Sequence, residues 1–249
     1  MPTLRAFLFD TYGTVCDFYG PLRQALSAWL AGRGIAADAG RLAIAWRNDY
    51  VRTTAAQAFG HAPFRPLRAI LEETLARQIA DITGARATAA EGAALCDTWR
   101  ALEPWPDVHA GLLALKSQAI IAPLSNGNFA DMVALARHAR LPWDIILGAS
   151  VARQYKPHPA VYLAAVEALE LAPAEVCMVA AHQFDLHEAS RHGLCTAFVR
   201  RRDEFGGPVR PHPVPSGLDV SAMAEMHVEG AWTFVADDFI DLARQVRAR

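Results

Sequence analysis

Residues 4–10 are apolar at nearly every position and stop on Asp10, after which the chain turns through Gly13-Thr14. A short apolar run without polar alternation predicts a strand buried on both faces of a parallel sheet. From about residue 19 to 103 the pattern changes. Segments 21–33, 41–57, 66–83 and 88–102 are amphipathic and rich in Ala, Leu and Arg, with no strand pattern between them, which predicts a helical module. Pro104-Trp105-Pro106-Asp107 then punctuates the chain, with Asp107 placed to N-cap a helix running to about Lys116. Beyond it, apolar runs at 119–124, 144–147, 176–180 and 195–199 alternate with helical patterns, and a further strand at 233–235 precedes a closing helix at 237–247. Alternation of that kind implies an α/β fold, a doubly wound parallel sheet with right-handed crossovers. The segment 205–217 has four prolines and three glycines and reads as a surface loop.

Composition narrows the class without naming a chemistry. With 249 residues, 53% of them hydrophobic, the chain can fill one large domain or a domain with an inserted module. A net charge of -2, from 24 basic and 26 acidic residues, points to neither nucleic acid nor an anionic membrane. The basic run Arg200-Arg201-Arg202 is followed at once by Asp203 and Glu204, and reads as a solvated loop. Cys16, Cys96, Cys177 and Cys195 form no Cys-x-x-Cys pair and read as core residues of a reducing compartment. No signal-peptide layout opens the chain, and no apolar run approaches the roughly 20 residues that span a bilayer. A cytoplasmic protein is expected.

The layout also places the candidate chemistry. In an open parallel sheet, ligands bind beyond the C-terminal strand ends where strand order reverses. The polar residues at those ends are Asp10, Ser125-Asn126 and the run from 180 to 185, and all can meet at one site.

These residues carry a resemblance to the type II haloacid dehalogenases, the L-2-haloacid dehalogenase branch of the haloacid dehalogenase superfamily. Asp10-Thr11-Tyr12-Gly13-Thr14 matches the first motif and Leu124-Ser125-Asn126-Gly127 the second; Tyr155-Lys156-Pro157 with Val161-Tyr162 matches the third. Trp46-Arg47 matches the arginine of the helical insertion, and Asp185 the last acidic position. The resemblance implies a Rossmann-like core at 1–16 and 104–249 with a helical cap domain at 17–103. It also implies hydrolysis of a short 2-haloalkanoic acid to a 2-hydroxy acid through an aspartyl ester. Asp10 is then the nucleophile, since a carboxylate forms an ester that water can cleave. Lys156 keeps Asp10 ionised, and Thr14 orients it. Arg47 and Asn126 receive the halide, Ser125 and nearby amides hold the substrate carboxylate, and Tyr162 lines the pocket.

Two positions discriminate within the superfamily. Its phosphatases carry an acid two residues after the nucleophile to protonate an alkoxide, where this chain has Tyr12, an apolar ring suited to a halogen. Four residues before Asp185 stands Ala181 in place of a magnesium-ligating carboxylate, so no metal and no cofactor are expected. The segment Ala180-Ala181-His182 departs from the dehalogenase pattern of Ser and Asn. His182 stands at the Asn position, where a neutral imidazole can accept the proton of the hydrolytic water beside Lys156 and Asp185. His182, His187 and His192 follow each other at five-residue steps, which do not align on one helix face, so a metal cluster is not expected. A magnesium-dependent phosphatase and a non-catalytic binding protein of the same fold stay open as alternatives. The expected partner is a small haloacid, and apolar stripes on the inserted helices are compatible with a homodimer.

Overall fold

A computed structural model describes residues 3–207 and 230–248. β1 (Ala6–Phe9) is completely buried. It leads into β2 (Cys16–Asp17) and then four helices: α1 (Tyr19–Gly32), α2 (Ala39–Ala58), α3 (Leu67–Thr83) and α4 (Ala89–Asp97). After β3 (Glu103–Pro104) the alternation begins, with α5 (Val108–Lys116), β4 (Ile120–Ser125), α6 (Phe129–His138), β5 (Leu147–Gly148), α7 (Ala149–Ala152) and α8 (Pro159–Ala168). It continues through β6 (Val176–Ala180), α9 (Gln183–Arg191), β7 (Cys195–Val199), β8 (Phe234–Ala236) and α10 (Phe239–Arg247).

Six strands form one parallel sheet in the order β5-β4-β1-β6-β7-β8. The chain builds outward from β1 in one direction, returns and builds in the other, so the order reverses at β1. Its side chains alternate between two cores: Phe7 and Phe9 pack with Leu112, Phe239 and Leu242, while Ala6 and Leu8 pack with Tyr162, Ala165 and Met178. Both faces are covered, which is why the run is apolar throughout. Each Leu or Phe buried there contributes about 1.5–3 kcal/mol.

The helices begin and end on local chemistry. The Asp38 side chain accepts from the N–H groups of Gly40 and Arg41 at the start of α2. Thr88 and Glu91 form a reciprocal capping box on α4, and left-handed Gly84 closes α3. Among the described residues no helix is long and apolar enough to cross a membrane.

Several expectations need correction. The antiparallel pair β2–β3 ties the two ends of the helical insertion together and was not anticipated, because two residues show no periodicity. The helix expected to reach residue 102 stops at Asp97, and a single 3-10 turn at Thr98–Arg100 buries Trp99. The strand expected at 144–147 is confined to β5. Asp144 instead accepts from Lys116 Nζ (2.5 Å) and Ile121 N–H (3.0 Å), which anchors a loop. Asp107 precedes α5 but makes no side-chain cap, because its oxygens accept from Arg201 (2.7 and 3.0 Å) and from Phe239 N–H (2.8 Å). Of the loop expected at 205–217, residues 208–217 lie outside the described residues.

Candidate active site

Register fixes the centre of the site. Phe9 pairs with Pro123 of β4 and Val179 of β6, so Asp10 emerges between the ends of the two neighbouring strands, with its N–H donating to Val179 O at 2.9 Å. The turn that follows is tight: Val15 and Cys16 both donate to Thr11 O, and Gly13 adopts φ +90°, a region that a side chain disfavours.

Both oxygens of Asp10 are held by donors. Lys156 Nζ donates to Oδ1 at 2.8 Å, and Thr14 Oγ1 donates to Oδ2 at 2.7 Å while accepting from Ala181 N–H at 2.9 Å. His182 Nδ1 adds a contact of 2.8 Å to Oδ2. Burial alone raises the carboxyl's pKa, but the Lys156 ammonium and the His182 contact outweigh it and hold Asp10 well below the usual carboxylate range. Its side chain keeps 11% exposure at the floor of a cavity. The result is an ionised carboxylate fixed in one orientation.

Lys156 is shared. Its Nζ also donates to Asp185 Oδ2 at 2.5 Å, and Tyr162 Oη donates to Asp185 Oδ1 at 2.5 Å. Burial opposes its charge, yet the two carboxylates raise the pKa of Lys156. Burial and the nearby Asp10 charge push Asp185 upward, with Lys156 opposing. Asn126 Oδ1 accepts from Lys156 N–H at 2.8 Å, which fixes the loop carrying the lysine. Ser125 Oγ accepts from Gly127 N–H at 3.0 Å.

The cavity above Asp10 measures about 130 Å³, well under the ~300–1,000 Å³ of pockets for drug-sized ligands. Ser125, Asn126, Lys156 and His182 line its floor, and Tyr50, Val51, Thr54 and Ala55 of α2 form an apolar roof. Tyr12 joins the wall with its ring edge-on to Trp99 at 5.0 Å. Trp99 is also met edge-on by Trp46 and Tyr50, so the helical layer and the sheet share one aromatic cluster. Arg47 descends from α2 into the cavity wall, 3% exposed and between the rings of Phe18 (5.7 Å) and Phe205 (5.3 Å). A buried guanidinium therefore faces a buried carboxylate across a small apolar space.

Of the residues expected at the site, Asp10, Tyr12, Arg47, Ser125, Asn126, Lys156 and His182 border this cavity. Thr14 and Asp185 stand behind it and act on Asp10 and Lys156. Tyr162, expected on the wall, is completely buried and bonds Asp185, because the helical turn after Lys156 directs it into the core.

His182 requires a larger correction. Expected as a neutral base, it lies between Asp10 and Glu204, with Nε2 at 2.8 Å from Glu204 Oε1. Burial alone lowers its pKa, but Glu204 and Asp10 together push it up to about 9, so the imidazole is a cation at neutral pH. Both ring nitrogens then donate, one to each carboxylate. Arg47 Nη2 approaches Nε2 at 3.3 Å. Two donors cannot bond each other, so we ascribe that approach to their shared neighbour Glu204, whose Oε1 is 3.7 Å from Nη2.

The basic run expected in solvent is also partly interior. Glu204 is completely buried, and the Arg201 side chain is 6% exposed, forked onto Asp107 and donating to Thr14 O at 2.7 Å. Charge spacing cannot reveal this, since the partners lie far away in the chain. One signal was available: the loop leaves the C-terminal end of a predicted parallel strand, where such sheets build their sites.

The first motif, the lysine at the end of the sheet and the strand order define a hydrolase of the haloacid dehalogenase type. The chain belongs to the haloacid dehalogenase-like hydrolases, whose family model matches residues 4–186. It is 28% identical over 231 residues to (S)-2-haloacid dehalogenase 4A of Burkholderia cepacia, covering 90% of this chain and 94% of that one. The crystal structure of a defluorinating L-2-haloacid dehalogenase superposes with a TM-score of 0.86 at 36% identity, covering 98% of this chain and 95% of the other. The Xanthobacter autotrophicus L-2-haloacid dehalogenase with chloropropionic acid covalently bound gives 0.79 at 25% identity, covering 98% and 99%.

Proposed function

We propose that this protein hydrolyses short 2-haloalkanoic acids to 2-hydroxy acids through an ester on Asp10. The observation that carries the proposal is the ionised Asp10 carboxylate, held by Lys156 and Thr14 beneath a 130 Å³ cavity whose wall contains Arg47. Dehalogenation of (S)-2-haloacids by the relatives agrees with it.

Asp10 attacks carbon 2 from the side opposite the halogen. The carbon–halogen pair leaves on the halide, and the carbon centre inverts. Positioning two reactants in a small cavity supplies much of the acceleration. Arg47 and Asn126 receive the halide, Ser125 and neighbouring N–H groups hold the substrate carboxylate, and Tyr12 offers the halogen an apolar ring. Halide leaves without a proton, which suits a site with Tyr12 where an acid would protonate an alkoxide. Water then attacks the carboxyl carbon of Asp10 in the neighbourhood of His182 and Lys156.

The proposal includes a division of the chain into a core of 1–16 and 104–249 and a cap of 17–103, supported by the β2–β3 pair at their junction. It also includes a cytoplasmic location, supported by four free cysteines, and a homodimer, suggested by apolar stripes on the inserted helices. The test is halide release from 2-chloropropionate with formation of lactate of inverted configuration, abolished in Asp10→Asn. Halide release that persists in that variant, or none from any small haloacid with the wild-type protein, contradicts the proposal.

A further inference from the structure

Glu204 touches the site, yet the reaction as written gives it no task. It reaches His182 and Arg47, which line the cavity, from the loop after β7, and a Cβ at Gly13 would stand 2.2 Å from its Oε1, so the glycine of the first motif leaves room for this carboxylate. Oε1 meets His182 Nε2 at 2.8 Å, and Oε2 is buried with no hydrogen-bond partner among the described residues. Burying a carboxylate with an unsatisfied oxygen is costly, and stability is a poor reason to retain one.

A carboxylate only accepts, so the nitrogen facing Glu204 carries a hydrogen in either protonation state of the ring. That leaves Nδ1, 2.8 Å from Asp10 Oδ2, as the nitrogen that exchanges a proton with the reacting centre. We propose that Glu204 is a positioning residue that holds the Nε2–H of His182, so that ester formation on Asp10 converts His182 from a proton donor into the base that hydrolyses the ester. This inference rests on the aspartyl-ester reaction proposed above.

The groups facing the imidazole are Asp10 from the end of β1, Glu204 from the loop after β7 and Arg47 from α2, with Lys156 on the far oxygen of Asp10. In the resting enzyme the negative charge of Asp10 keeps a proton on Nδ1, consistent with the raised pKa of His182. Alkylation turns Asp10 into a neutral ester, and the halide carries the charge away. The Nδ1 proton then loses its acceptor and departs to solvent, as the one proton that the overall hydrolysis releases. The freed lone pair faces the ester.

Water adds to the carboxyl carbon and passes a proton to Nδ1 as the carbonyl pair moves onto oxygen. When the tetrahedral adduct collapses, the carbon–oxygen bond to the substrate breaks with its pair on the alkoxide, which takes the Nδ1 proton to become the 2-hydroxy acid. The proton left on the Asp10 carboxyl returns to Nδ1. Nucleophile and imidazolium are both restored. A carboxylate fixing the far nitrogen of a histidine base follows the logic of the Ser-His-Asp triad, here with an ester of the enzyme's own aspartate as the target.

The test is rapid mixing of Glu204→Gln with excess 2-chloropropionate, following halide release and the mass of the peptide containing Asp10. The expected result is a burst of about one halide per site, an accumulating propionate ester and steady turnover reduced ~10²–10⁴-fold, partly recovered in Glu204→Asp. Wild-type turnover without an adduct, or joint loss of burst and turnover, would overturn the inference, the second result assigning Glu204 to Arg47 instead. Absence of halide release from the wild-type protein would count against the dehalogenase reaction itself. A second measurement needs no turnover: the 15N shifts of His182 in Asp10→Asn, where residue 10 is uncharged as in the ester. A neutral ring with hydrogen on Nε2 at neutral pH is expected, and an Nδ1–H tautomer or a persisting imidazolium contradicts the proposal.

Discussion

At the scale of single residues, three donors converge on the two oxygens of Asp10, and one of them, Lys156, also serves Asp185. Removing a buried partner leaves its counter-charges unpaired, at a cost of about 3–5 kcal/mol. Lys156→Met is therefore expected to lower the unfolding free energy by that amount in urea titrations and to cut turnover at least ~100-fold. A variant as stable as the wild type contradicts the pairing. The identities of Asp10, Thr14 and Lys156 were legible in the sequence because each sits in a short motif whose spacing carries the information. The charge of His182 was not, since it depends on Glu204, 22 residues away and next to a basic run that looked solvated.

At the scale of elements, the turn after β1 and the loop after β7 interlock. Trp105 Nε1 donates to Gly13 O at 2.9 Å, Arg201 donates to Thr14 O, and Glu204 fills the space that Gly13 leaves. The turn that carries Asp10 is thus braced by a loop nearly two hundred residues later. Arg201→Met strips both oxygens of Asp107 of their guanidinium and is expected to destabilise the protein by about 3–5 kcal/mol. Because the same loop carries Glu204, it should also slow ester hydrolysis more than halide release, which stopped-flow halide detection separates from product formation. Equal slowing of both steps would contradict that link. The positions of β1, β4, β6, β7 and β8 were legible because buried parallel strands are apolar throughout, whereas the two-residue strands β2, β3 and β5 are too short to show a pattern. Asp107 reads as a local cap and Asp144 as the start of a strand, because an anchor to a distant segment leaves no mark in the neighbouring sequence.

At the scale of the molecule, the alternation of strands and helices was enough to infer a doubly wound sheet and the end at which its chemistry gathers. It could not show the aromatic cluster around Trp99 that joins helices to sheet, since those rings come from four separate segments. Burial of the site also couples it to global stability. His182 keeps its proton to about pH 9 in the fold, against an ordinary value of 6.5. Its stabilising contribution, on the order of 3 kcal/mol, is fully present below pH 6.5 and is lost as pH rises through about 9. Urea denaturation across that window should show falling stability in the wild type and a flatter profile in His182→Gln; parallel profiles would contradict the buried imidazolium. The proposed reaction turns on a covalent ester on Asp10, and a single turnover in oxygen-18 water tests it most directly. Label is expected in the Asp10 carboxylate with the first-turnover 2-hydroxy acid unlabelled, whereas label found only in the product would show that water displaced the halide directly.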